Sequence, residues 1–511
     1  MATDRAALFW LGIAVLVAGV SVSLGLREIA TQRALLNELI EVDRAEREVA
    51  MANYRNWGDT AYYTFHLTYD SPSDFAFAAH GQRDTSPWKH RIRALALEGQ
   101  IYETDADNPD FALVGRFDFG FAANMLAPLL LILLLHDLRS AERAAGRYEL
   151  LSAMAVSRGS PWLARASLRV GALMLCLIVP LAAGGLLAGT GVSDVALASL
   201  VVVLHIAFWW GVCAGIDRFG WSSPVNLTTL VGAWLALAVV VPAAIEISVK
   251  AAVPLPDGGE IMLAQREAVN DAWDLPKSAT MEPFVQRHPQ WADYTEVSQP
   301  FEWKWYYAFQ QVGDQTVEPL SLAYREGRME RDRLAGMLAW LSPPALAERA
   351  LQAIAGTSMA ASLAYEKRVR DFHTVLRAYY YPRLFRDEAF SDASLGQRPE
   401  FHAAGASWCL CTPTSHPQQR SWRTSPSLPL EGARGGVEKR CSLPFLGGGP
   451  PARCAEALVR AKTRATGCRW AKAYPSLKWH QSPCGAIPRR LSRAPPRSLL
   501  RLPGPSLHVR A

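Results

Sequence analysis

The first 402 residues contain only two cysteines, Cys176 and Cys213, both inside apolar runs. The long polar stretches at 27–116 and 248–401 have none, so disulfides cannot hold them and packing must. No segment reads G-x-x-x-x-G-K-[ST], which removes a phosphate-cradling loop; H-E-x-x-H, G-x-S-x-G and a dinucleotide-type glycine pattern are also missing. The eleven histidines are scattered. Catalysis by the chain itself is therefore not expected, and neither is a bound cofactor or metal.

Charge is scarce where apolar residues are dense. Five runs, at about 6–26, 117–136, 168–190, 195–216 and 225–247, approach or exceed the roughly 20 residues that a helix needs to cross a hydrocarbon core. A soluble fold would have to bury five helices that are apolar all round, so the chain reads as mainly α, a polytopic membrane protein. The first run, ALFWLGIAVLVAGVSVSLGL, exceeds a signal-peptide core and no A-x-A site follows it, which predicts an uncleaved transmembrane helix. Two ionisable residues stand out within the runs. Glu246 lies near the end of the fifth, and His205 near the centre of the fourth is a candidate for a translocation path. A neutral imidazole bonded to a neighbouring helix is the structural alternative.

The formal charge of +6 misleads, because 18 of the 53 Lys+Arg but only 3 of the 47 Asp+Glu lie from Ala403 onward. The body is therefore acidic, with 35 basic and 44 acidic residues. The tail at 402–511 is rich in Arg, Pro, Ser, Cys and Trp, lacks Asp and shows no periodicity. It is expected to be disordered, and its composition predicts out-of-frame translation of GC-rich DNA. Cys409 and Cys411 lack a Cys/His pair at zinc-site spacing. Nucleic acid is not expected as a partner despite the basic tail.

Between the second and third runs, residues 137–167 carry Arg139, Arg143, Arg147, Arg158 and Arg165 in a short connection, where the positive-inside bias acts most strongly. That segment is expected in the cytoplasm. Counting crossings outward makes 27–116 and 248–401 two extracytoplasmic, mostly helical domains, with 217–224 inside. The start of the first, REIATQRALLNELIEVDRAEREVAMANY, has Ile29, Leu35, Leu36, Leu39, Ile40, Val42 and Val49 near helical spacing and should extend the first helix outward. In the second, FEWKWYYAF packs aromatic residues that suit a core, a ligand surface or an interfacial belt. RDRLAGMLAWLSPPALAERALQAIAG and SLAYEKRVRDFHTVLRAYYYPRLF read as two helices, the first broken at Pro343–Pro344 and the second followed by Pro382.

The central connection reads ERAAGRYELLSAMAVSRGSPW. Glu142 and Arg143 precede Gly146; Leu150, Leu151 and Met154 follow at helical spacing; Ser157, Arg158 and Gly159 precede Pro161. The pattern resembles the coupling segment of ABC-2-type exporter permeases, E-R-x-x-G followed by a leucine-rich helix and a P/V-S-R turn. AYYTFHLTYDSPSDFAFAAHGQRDTSPWKHRIRAL, WYYAFQQVGDQTVEPL and LRAYYYPRLF are similar to the subgroup with large extracytoplasmic insertions and a C-terminal domain of unknown function. The resemblance implies a bacterial inner-membrane permease that dimerises or pairs with a related permease. It also implies a separate ABC ATPase subunit that binds the ATP. Glu142, Arg143, Leu150, Leu151, Ser157 and Arg158 would meet that ATPase, with Gly146 allowing close helix approach and the helices at 168–247 lining the path. Family members commonly have six crossings and a basic amphipathic segment before the first, so this chain departs from the family pattern twice, which points to a truncated or misassigned start and to a sixth helix lost with the C-terminus. The rival reading is a membrane-anchored binding or sensor protein without transport. The substrate is beyond the sequence.

Overall fold

The computed structural model describes residues 5–102, 117–154 and 160–402. The basic tail from 403 onward lies outside the described residues, as do Ser157 and Arg158. The described chain is mainly helical, and five of its helices are long and apolar enough to cross a membrane.

The first, α1 (Arg5–Asn53), runs unbroken from the apolar start into polar sequence, as expected. Its buried stripe there is Ile29, Gln32, Leu36, Asp43, Arg47 and Ala50, whereas Leu35, Val42 and Val49 are exposed. Apolar spacing alone misses this face because polar pairs complete it: Arg47 bonds Asp43 at 3.2 Å, and Gln32 accepts from the buried Arg83 at 3.1 and 3.2 Å. After α2 (Trp57–Tyr63), strands β1 (His66–Tyr69) and β2 (Lys89–Ile92) pair antiparallel with His66 opposite Ile92. Short α3 (Glu98–Tyr102) follows.

Helix α4 (residues 119–135) and α9 (Ser223–Ala252) each contain one π-helical turn, Ala122–Leu126 and Ala236–Val240. Each widened turn precedes a proline, Pro128 or Pro242. A proline has no N–H and its ring crowds the carbonyl four residues back, here Asn124 and Ala238, so the turn opens and frees backbone acceptors. Between these helices come α5 (Ser140–Ala144), α6 (Tyr148–Ala153), α7 (Ser160–Ala188) and α8 (Val192–Asp217). The third apolar helix thus begins at Ser160, eight residues inside the stretch read as connection, because Pro161 favours a helix start.

The second polar stretch forms α10 (Gly258–Asp274), α11 (Lys277–Arg287), α12 (Trp303–Leu338), α13 (Pro343–Ala355), α14 (Met359–Phe385) and α15 (Asp392–Leu395). Two expectations change. Pro382 lies inside α14, three residues before its end, where the lost hydrogen bond costs little. More consequentially, 248–401 is not wholly separate from the apolar helices: α12 and α13 form a hairpin whose second arm packs against α8 and the π turns of α4 and α9. The Ser342 hydroxyl donates to the Leu237 carbonyl at 2.7 Å, midway along α9. Ser342 also caps α13, Pro343 and Pro344 open it, and Gly356 ends it at φ +66°. A 13-residue helix is too short to read as a crossing.

The apolar helices share one core with Phe75–Ala79, Leu351 and Ala355. At Gly25 the backbone of α1 meets that of Phe77: an added Cβ would lie 2.0 Å from the Phe77 carbonyl oxygen. Gly25→Ala is expected to cost about 1–3 kcal/mol through this overpacking, read as a lower thermal midpoint of the detergent-solubilised chain. An unchanged midpoint would show that the two segments separate freely.

The two polar stretches pack as one body and share a second core, which joins Met51, Trp57, Ile92 and Leu97 to Phe284, Trp305, Tyr307, Phe309 and Phe372. Of the aromatic cluster at 301–309, Trp305, Tyr307 and Phe309 are therefore core, while Phe301 is exposed. Buried ion pairs stitch the body: Arg370 with Glu98 at 2.9 Å, Arg377 with Asp314 at 2.7 Å and Arg83 with Asp70 at 2.9 Å.

Candidate functional site: the arginine-bearing end

The connection after α4 folds back on the bundle in two short helices. Gly146, at φ +69°, makes the turn between α5 and α6, and nothing stands within 4 Å of the place a Cβ would occupy. Within this chain it supplies the left-handed turn. The Glu142 carboxylate accepts from Arg147 Nε at 2.7 Å and from Arg165 at 3.0 Å, tying the turn to the first part of α7. The Arg143 guanidinium lies over the Tyr148 ring at 4.8 Å, and Tyr148 stacks on Trp162 at 5.4 Å.

A second loop completes this end. Arg139 pairs with Asp217 at 3.1 Å, Asn226 donates to the His136 carbonyl at 3.2 Å, and Arg143 lies against Gly220, where a Cβ would be 3.0 Å from the guanidinium. Residues 137–154 and 217–222 thus share one surface. Leu150 (64 % exposed), Met154 (78 %) and Phe219 (66 %) present apolar side chains there, with Phe219 stacked on a partly exposed Trp221 at 4.8 Å. Leu151 is half-buried. Sequence reading passed over Phe219 and Trp221; the available signal was a pair of aromatic residues flanking Gly220 in a short loop between apolar runs.

His205 lies away from this end, buried on α8 with its ring edge-on to Trp209 at a centroid distance of 6.5 Å. The backbone of Asn124 and Pro343 approaches it, so it marks the packed junction of α4, α8 and the hairpin. Nearby, Asn124 donates to Glu348 at 2.6 Å. Asp118 caps α4 by accepting from the Phe121 and His80 N–H groups, both at 2.8 Å.

Residues 259–404 match the family model described as a domain of unknown function (DUF3526), which covers α10 to α15. No curated protein and no solved structure matches the chain.

Proposed function

We propose that the chain is the permease subunit of an ABC-2-type exporter in a bacterial inner membrane. On this reading the five apolar helices cross the bilayer, 137–154 and 217–222 face the cytoplasm, and the joint helical body lies outside except for the α12–α13 hairpin, which reaches in among the crossing helices. A separate ATPase hydrolyses ATP, and two permeases form the path. The observation that carries the reading is the arginine-bearing end itself. Exposed Leu150, Met154, Phe219 and Trp221 suit a cleft on a partner, while Arg143 and the Glu142–Arg147–Arg165 cluster fix the register of the docked helix. The polar stretches at 27–102 and 248–402 pack on each other, as two segments in one compartment would. ATP-driven closure then pushes on α5 and α6, and the Arg139–Asp217 pair passes the push to α8 and α9. Coupling requires that the nucleotide state bind the two permease conformations differently.

The test is co-purification in detergent with the ATPase encoded beside the gene. Glu142→Lys reverses the charge that holds Arg147 and Arg165 and is expected to abolish ATPase retention and stimulated hydrolysis, with membrane insertion intact. Retention equal to the natural chain would refute the docking role of this end. An ATPase absent with either form would favour the rival reading, a membrane-anchored binding or sensor protein.

A further inference from the structure

A cavity of about 1080 Å³ opens between the second half of α9, the second half of α12, and α13, at the upper end of what a small-molecule site needs. α9 and α12 run past one another in opposite directions, so their chemistry is graded along the cavity. Toward the hairpin tip the walls are Pro242, Ile245, Ala335 and Ala339; toward the other end they are Lys250, Asp257, Arg328 and Arg331. Most of the charges are already matched. Glu246 pairs with Lys250 at 2.6 Å, Asp332 with Arg349 at 2.8 Å, and Arg328 with Glu366 at 2.5 Å. Arg331 differs: its Nε donates to the Val253 carbonyl at 2.8 Å, and no carboxylate among the described residues pairs with it. Beside the apolar end, Trp340 (75 % exposed), Leu341, Val240 and Ile247 are exposed, a surface that water would not leave uncovered.

We infer that this cavity binds an anionic phospholipid, its acyl chains against Ile245, Ala335 and Ala339 and its phosphate on the free guanidinium edge of Arg331. Arginine matches a phosphate with two parallel N–H donors, and the apolar half gives the site a preference for a lipid over a free anion. The binding rests on membrane insertion of α9 and not on ATPase coupling at the opposite end.

The experiment measures binding of short-chain phosphatidylglycerol, chain-matched phosphatidylcholine and glycerol 3-phosphate to the full chain in detergent, with no ATPase present. Saturable phosphatidylglycerol binding is expected, about tenfold tighter than phosphatidylcholine, with glycerol 3-phosphate failing to compete. Arg331→Gln should erase the preference for phosphatidylglycerol, and Ala335→Phe, which fills the apolar half and leaves the charges, should weaken both lipids. Equal affinity for the two lipids, an unchanged Arg331→Gln, or glycerol 3-phosphate binding as tightly as lipid would each overturn the assignment. Should Arg331→Gln fail to stay monodisperse, the headgroup comparison and Ala335→Phe decide alone.

Discussion

Asp314→Ala is expected to lower the stability of the joint helical body formed by the two polar stretches by about 3–5 kcal/mol, enough to unfold it at moderate temperature. Asp314 sits on α12 and accepts four hydrogen bonds: two from the Leu97 N–H shared between its oxygens at 2.8 Å each, one from the Glu98 N–H at 3.1 Å, and one from Arg377 at 2.7 Å. One carboxylate thus ties the first polar stretch, α12 and α14 together. Alanine leaves the Arg377 cation buried and two backbone donors without their acceptor, and each such loss is costly in a low-dielectric interior. The measurement is tryptophan-fluorescence unfolding in detergent. Glu98→Gln, which weakens one neighbouring pair without removing the hub, should cost distinctly less. Equal midpoints for Asp314→Ala and the natural chain would mean that the two stretches are held by apolar contacts alone.

The apolar helices were legible because twenty consecutive apolar residues have few other fates. The extension of α1 to Asn53 was legible too, though the face it buries was not. A stripe completed by Gln32, Asp43 and Arg47 carries no hydrophobic periodicity and becomes visible only when Arg83 arrives from elsewhere in the chain. The packing of the α12–α13 hairpin against the apolar helices was not legible for a related reason. PPALAERALQAIA has ordinary amphipathic spacing, and nothing local says that its apolar face meets the π turns opened by Pro128 and Pro242. At the arginine-bearing end the turn that Gly146 makes between two short helices was not legible, since a glycine inside a turn and a glycine between helices look alike until φ is known. The second loop, with Phe219 and Trp221, joins the surface through tertiary pairs, Arg139 with Asp217 and Asn226 with His136, that lie many residues apart.

Acid should loosen the joint helical body well before it affects the apolar helices. Three of its histidines are buried in neutral form. Burial, helped by the Arg47 and Arg398 charges, lowers His66 to about 3. Burial lowers His90 to about 4, with Glu366 opposing and Arg370 assisting. Burial and Arg377 hold His373 well below its ordinary value, and its Nε2–H donates to the Leu95 and Arg93 carbonyls at 2.8 and 3.0 Å. In each case the folded pKa is below the unfolded one, so the unfolded chain gains protons that the fold refuses. Stability is then lost as pH falls below about 6.5. Between pH 7 and 5 each histidine removes about 2 kcal/mol. The thermal midpoint measured against pH should therefore fall steeply between 6.5 and 5. His66→Phe keeps a ring against Phe372, removes one titrating group, and should flatten that fall by about 2 kcal/mol. A flat profile in the natural chain, or a fall of the same size in His66→Phe, would mean that these imidazoles find water or hydrogen-bond acceptors inside the fold when they protonate.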